Sequence, residues 1–289
     1  MTDQAEALRE MAGRHKARPT EIITVTSGKG GVGKSSLALN MAISLSRKGK
    51  RTLIIDTDFG FSNIDVMLGV KTKYDLLDVI KHGKDIHEII EHGLEGVQFI
   101  SGGSGVYELT RLSGRQLMGI VGSLSCLENI ADTIIFDTGA GVNDNMLRLI
   151  YASHETVLVT TPEPTAVVDA YALIKIINEK VGNAKISLVL NKAASPREAS
   201  SVMDGLARIA KKNIDININK LGYIMRDENM QKAIKMQVPI LVSFPKCMAS
   251  VNIDAISAKF LRMPVDKKDK PGILSFLEKL SGKNDEGVG

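Results

Sequence analysis

The stretch Glu21–Lys48, EIITVTSGKGGVGKSSLALNMAISLSRK, decides the fold of this 289-residue chain. A β-branched run at 22–26 predicts a strand, and a helical pattern begins at Lys34. The turn between them fits GxxxxGK[ST], whose defined positions here are Gly28, Gly33, Lys34 and Ser35. A strand before this motif and a helix after it are the context that a phosphate-binding loop requires.

The turn carries the chemistry that binds a nucleoside triphosphate. Glycines let backbone N–H groups crowd around phosphate oxygens, and the helix N-terminus adds partial positive charge. Lys34 is predicted to pair with the β and γ phosphates, and Ser35 to offer its hydroxyl to Mg²⁺. The predicted nucleotide-binding set is Gly28, Gly30, Gly31, Val32, Gly33, Lys34, Ser35, Ser36 and, further along the chain, Asn191.

Short β-branched runs alternate with helical patterns along the rest of the chain, which is typical of an α/β fold with a mostly parallel central sheet flanked by helices. We expect a single domain at 21–262, with the apolar run Ile240–Val242 as its last strand and 115–126 as one of its helices. A flexible segment is expected at 1–20, a charged linker at 263–271 and a short amphipathic helix at 272–282.

Composition excludes several function classes. Hydrophobic residues at 44% and charged residues at 24% are ordinary globular usage. A net charge of +4 and 4% aromatics without tryptophan argue against nucleic acid as a partner. Cys126 and Cys247 form no CxxC pattern, so we expect a cytoplasmic setting, and no apolar run is long enough to span a membrane.

Carboxylates follow two of the predicted strands. LIIDTDFGFSNID (53–65) places Asp56 and Asp58 two residues apart, so both can share one face beside the phosphate loop. TIIFDTGAG (133–141) places Asp137 after four residues of strand, the arrangement in which a carboxylate meets Mg²⁺ through its water shell. The predicted metal set is therefore Ser35, Asp137 and Asp56.

The segment KGGVGKSS (29–36) resembles the deviant Walker A loop of the MinD/ParA family of ATPases. The resemblance implies an ATP-dependent homodimer in which Lys29 reaches the partner's ATP; a solvated loop lysine is the alternative. It also implies that Asp58 positions the attacking water and that Asp56 supports Mg²⁺ or the lysine, so that Lys29, Lys34, Asp58 and Asp56 are the catalytic set. Asn191 would contact adenine and favour ATP, unless it merely caps the next turn.

The N-terminal DQAEALRE (3–10) resembles an element of the FlhG group within that family, which regulates flagellar location and number. The resemblance implies an FlhF-type signal-recognition GTPase as partner, with flagellar assembly proteins as further partners. The implied contact residues are Asp3, Gln4, Ala5, Leu8 and Arg9. Open alternatives are a frayed amphipathic N-terminus, and a role in division-site placement like MinD or in DNA segregation like ParA.

The C-terminal PGILSFLEKLSGK (271–283) predicts an interfacial helix, because its apolar residues share one helical side and a basic run precedes it. The predicted membrane-contacting residues are Ile273, Leu274, Phe276, Leu277 and Leu280. Two copies on a dimer would bind lipid more firmly than one, so we expect peripheral association with the inner face of the cell membrane when ATP is bound. The alternative is a helix docked on the protein's own surface, which is also a candidate for the state without ATP.

Overall fold

A computed structural model describes residues 20–58, 64–101, 108, 123–182, 184–263 and 272–282. Its strands are β1 (Glu21–Thr26), β2 (Thr52–Asp56), β3 (Glu91–His92), β4 (Gln98–Ser101), β5 (Thr133–Asp137), β6 (Glu155–Thr160), β7 (Ile186–Ala193) and β8 (Ile218–Met225). They form one sheet in the order β3-β4-β2-β5-β1-β6-β7-β8. Within the described ranges every strand pair is parallel except β3 with β4, which confirms the predicted fold class.

Helices cover both faces of the sheet. The described helices are α1 (Lys34–Arg47), α2 (Ile64–Leu68), α3 (Leu76–His82), α4 (Leu127–Ile130), α5 (Asp144–Ala152), α6 (Pro164–Val181), α7 (Pro196–Ile214), α8 (Glu228–Met236), α9 (Ile240–Ser243), α10 (Met248–Leu261) and α11 (Ile273–Gly282). Short 3₁₀ turns lie at Ile86–Ile89 and Leu94–Gly96. The predicted helix at 115–126 lies mostly outside the described residues.

The central strands are buried on both faces, so their sequences are apolar without alternation. β1 lies between β5 and β6, and β2 pairs with β5 so that Asp56 stands beside Asp137. The loop after β1 therefore opens at the same sheet edge as these two carboxylates. Ligands of parallel α/β sheets bind at this edge.

The prediction of a strand at Ile240–Val242 is wrong, because these residues begin helix α9. The Pro239 carbonyl accepts hydrogen bonds from the N–H groups of Val242 and Ser243 and so closes a helical turn. A short apolar run fits a buried helical turn as well as a strand. The two-residue strand β3 was not predicted, since so short an edge element leaves no periodic pattern.

Helix α11 is docked on the domain, which is the alternative that the sequence left open. The side chains of Ile273, Phe276, Leu277 and Leu280 are buried, and Leu274 is half-buried beside them. The Phe276 ring stacks on Phe136 of β5 at a centroid distance of 5.1 Å, and the Ile273 N–H donates to Glu128 Oε1 at 2.7 Å. In this state the face predicted to contact lipid belongs to the protein's own core. No helix in the described ranges has both the length and the apolarity to cross a membrane.

Candidate functional site

The loop between β1 and α1 is shaped by glycines where backbone passes close to other groups. A Cβ at Gly28 would lie 2.5 Å from the Asp169 carbonyl oxygen, and one at Gly33 would lie 2.3 Å from Asn191 Nδ2. Gly33 has φ 92° and precedes the first turn of α1, which carries neither a side-chain cap nor an acidic residue. The N–H groups of that turn are therefore left to an anionic ligand, as a phosphate loop requires.

Lys34 and Asp137 form a buried ion pair at the bottom of the loop. Lys34 Nζ lies 2.8 Å from Asp137 Oδ1, and the two side chains are 7% and 0% exposed. Burial raises the pKa of Asp137, while the Lys34 ammonium acts in the opposite direction. Asp137 Oδ2 is buried and finds no hydrogen-bond partner among the residues that the structure describes. An unsatisfied buried carboxylate oxygen beside the Ser35 hydroxyl fits the oxygen-ligand chemistry of Mg²⁺.

Asp56 is buried at the end of β2, and both its oxygens accept backbone hydrogen bonds. Oδ1 accepts from the N–H of Asp58 at 3.1 Å, and Oδ2 from the N–H of Ile64 at 3.2 Å. Asp56 therefore holds the backbone at Asp58 and at Ile64. Its predicted support of Mg²⁺ or of the lysine stays a prediction.

Asp58 lies at the mouth of the site, partly exposed and opposite the loop after β5. A Cβ at Gly139 would lie 2.9 Å from Asp58 Oδ1, so glycine lets that backbone come close to the carboxylate. Asp58 also lines a cavity of about 630 Å³ together with the phosphate loop, a volume suited to a small-molecule ligand. The cavity is lined by Ser27, Lys29, Gly30, Gly31, Val32, Gly33, Lys34, Ser35, Ser36, Asp58, Val66, Met67, Ala140 and Ile234.

Lys29 lies at the rim of this cavity and is engaged within its own chain. Its Nζ donates to Glu163 Oε2 at 3.1 Å and to Thr165 Oγ1 at 2.8 Å, where α6 begins. The lysine is 38% exposed and Glu163 is 62% exposed, so the pair is held loosely at the surface. Glu163 and Thr165 were not found from the sequence, because they lie more than 130 residues from Lys29.

Asn191 lies near the end of β7 and packs against the phosphate loop. Its Nδ2 donates to the Val32 carbonyl at 2.8 Å, and its Oδ1 accepts from the N–H of Lys192 at 2.8 Å. The predicted contact with adenine stays a prediction, since both ends of this amide are engaged by the protein here. Lys192, which sequence reasoning missed, donates from Nζ to the Gly31 carbonyl at 2.8 Å.

The structure therefore brings together the predicted phosphate-loop residues, Asp56, Asp58, Asp137 and Asn191 at one edge of the sheet. The apolar residues of α11 lie apart from this cavity, behind β5. Residues 3–10, with the predicted partner-contacting side chains, lie outside the described residues.

Comparison with known proteins agrees with this site. Residues 23–240 match the family model described as the CobQ/CobB/MinD/ParA nucleotide binding domain. The antiactivator FleN of Pseudomonas aeruginosa is 32% identical over 273 residues, which cover 94% of this chain and 96% of FleN. The flagellum site-determining protein YlxH of Helicobacter pylori is 35% identical over 269 residues, 90% of each chain.

A solved structure shows the same fold. The septum site-determining protein MinD of Pyrococcus horikoshii, complexed with Mg-ADP, superposes with a TM-score of 0.66 at 22% identity. The superposition covers 84% of this chain and 96% of that one.

Proposed function

Because the chain belongs to the CobQ/CobB/MinD/ParA family of nucleotide-binding domains, we propose that it is a Mg²⁺-dependent ATPase that forms a homodimer when ATP is bound. One observation carries the proposal: the buried Lys34–Asp137 pair lies under a phosphate loop that holds a second lysine, Lys29, at the rim. The relative solved with Mg-ADP supports the choice of cofactors. ATP and Mg²⁺ are accordingly the proposed ligands.

The proposed hydrolysis assigns a task to each charged group. Lys34 would turn from Asp137 towards the β and γ phosphates, while the N–H groups of the loop hold the remaining phosphate oxygens. Ser35 and Asp137 would hold Mg²⁺, which neutralises charge that develops on the phosphates. Asp58, at the cavity mouth, would orient the attacking water. Asp56 keeps Asp58 in place through the backbone hydrogen bond between them.

The surface around the cavity supports pairing with a second copy. Two large apolar side chains are exposed there, namely Val66 (58%) and Ile234 (47%). Val66 and Ile234 line the cavity that Lys29 also lines. Exposed apolar side chains grouped beside a charged site are typical of an interface. For Lys29 to reach the partner's phosphates, it must first leave Glu163.

We expect Lys29→Ala to abolish ATP-dependent dimers while ATP binding to the monomer persists, because Lys34 and the loop remain. Size-exclusion chromatography with light scattering in ATP and Mg²⁺ measures this. Lys175→Ala is the matched control, since Lys175 forms an exposed pair with Glu179 on α6. Dimers of the Lys29→Ala chain as abundant as those of the wild type would contradict the assigned role.

We further propose that the docked α11 is the resting state and that ATP-driven pairing releases it to the inner face of the cytoplasmic membrane. Two contacts support this coupling. Phe136, on which Phe276 stacks, is the residue before Asp137, and α11 also packs on α5, which follows the loop after β5. Movement of that loop towards a bound nucleotide would therefore disturb the docking surface.

The cellular task that we propose is regulation of flagellar location and number. The names of two relatives, an antiactivator FleN and a flagellum site-determining YlxH, support it. Residues 1–20 would activate an FlhF-type GTPase, and flagellar assembly proteins would be further partners.

A synthetic peptide of residues 1–20 is expected to raise GTP hydrolysis by an FlhF-type GTPase. A peptide with Gln4 and Leu8 both replaced by alanine is the matched control, because it keeps the net charge. Equal rates with both peptides and without peptide would reject the partner.

Deletion of the gene tests the cellular task itself. A septation defect in place of a flagellation defect would favour the division-site alternative.

A further inference from the structure

Two consecutive residues at the end of β7 bind backbone carbonyls of the phosphate loop. Lys192 Nζ donates to the Gly31 carbonyl and Asn191 Nδ2 to the Val32 carbonyl, both at 2.8 Å. We propose that Asn191 and Lys192 form a carbonyl clamp that aims the N–H groups of Val32 and Gly33 at the phosphates. The inference rests on the proposed ATPase function and assigns Lys192 as a positioning residue.

Peptide geometry connects the clamp to the ligand side of the loop. The described peptide bonds are all trans, so the C=O of one residue and the N–H of the next point in opposite directions. Holding the carbonyls of Gly31 and Val32 on one side therefore turns the N–H groups of Val32 and Gly33 to the other. That side faces the cavity, which Val32 and Gly33 line. Neither clamp residue is among the described residues lining it.

The backbone is distorted so that both side chains reach the loop. In a regular strand, consecutive side chains point to opposite faces. Here the register between β7 and β8 shifts between Leu190 and Ala193, and Lys192 has a left-handed φ of 60°. The bend is braced by the hydrogen bond from the Lys192 N–H to Asn191 Oδ1. A non-glycine residue in this region costs energy, and such strain concentrates at functional sites.

The clamp also explains why the loop needs glycine at position 33. A Cβ there would lie 2.3 Å from Asn191 Nδ2. Asn191 is 6% exposed, so it cannot swing aside into solvent. The close approach and the two carbonyl hydrogen bonds leave the loop little freedom before a nucleotide arrives, and such preorganisation favours binding.

The test is Lys192→Met, which keeps the length of the side chain and removes the donor. We expect it to weaken binding of ATP and of inorganic tripolyphosphate by the same factor, roughly tenfold for a lost charge-assisted hydrogen bond. Lys192→Arg should restore most of both affinities, and Lys175→Met should change neither. Hydrogen exchange of the peptide covering residues 30–34 should become faster in nucleotide-free Lys192→Met.

Three other outcomes would overturn the proposed clamp. If Lys192→Met lost affinity for ATP but not for tripolyphosphate, Lys192 would be a residue that recognises the base. If the loss of affinity disappeared at about 1 M KCl, where charges are screened beyond roughly 3 Å, Lys192 would act only through its charge at a distance. Unchanged affinity together with unchanged exchange would leave it no role in the loop. If the wild-type chain bound neither ligand, the proposed ATPase function itself would fail, which is a separate result.

Discussion

Asp58→Ala is expected to slow ATP hydrolysis by roughly a hundredfold or more and to trap the ATP-bound dimer. The size follows from the usual contribution of a side chain that orients or deprotonates a nucleophile. Asp58 lies beside Gly139 and lines the cavity, and its side chain is not part of the buried Lys34–Asp137 pair. The groups proposed to bind phosphate and Mg²⁺ are thus untouched, and ATP should still bind and drive pairing.

Phosphate release and light scattering on the same sample measure the two effects together. Asp204→Ala is a suitable control, because this carboxylate lies on α7 and pairs with Lys220 at the surface. A variant that bound ATP but stayed monomeric would remove Asp58 from the hydrolytic step. Unchanged turnover would have the same consequence.

Loosening the docked helix is expected to give membrane binding without ATP. The double variant Glu128→Ala, Phe136→Leu leaves the sequence of α11 intact and removes two of its docking contacts. Loss of the hydrogen bond to the Ile273 N–H and of the stacking on Phe276 should weaken docking by about 2 kcal/mol in total. That free energy shifts the docking equilibrium about thirtyfold towards the released helix.

Sedimentation with anionic liposomes measures the release, with Leu277→Asp as the matched variant that keeps the helix but should not bind lipid in any nucleotide state. Retained ATP binding by both chains shows that the domain is folded. These variants test release of the helix more directly than deletion of residues from 272 onwards would, because deletion would also expose the apolar surface that α11 covers. Liposome binding by the double variant that still required ATP would show that docking does not restrain the helix.

The local pattern of the sequence determined the phosphate loop, the carboxylates at the ends of β2 and β5 and the α/β class. Each of these depends on neighbouring residues: glycine spacing gives the loop its conformation, and apolar runs give strands that are buried on both faces. Parallel strands then bring their carboxyl ends to one edge, so Asp56 and Asp137 could be placed together without coordinates. The prediction of a strand at Ile240–Val242 was wrong because it also rested on local pattern alone, and a short apolar run fits a helical turn as well as a strand.

Only the tertiary structure decided which partners the ambiguous residues take. Lys29 meets Glu163, Lys192 meets the Gly31 carbonyl, and α11 meets Phe136, and each contact joins segments more than 130 residues apart. A helical stripe of apolar residues can bury itself in a lipid surface or in a groove of the same chain. The hydrophobic effect depends on the apolar area removed from water and does not select the surface that covers it. The bend that turns Asn191 and Lys192 to the same side comes from a shift in strand pairing, which periodicity along one chain segment does not encode.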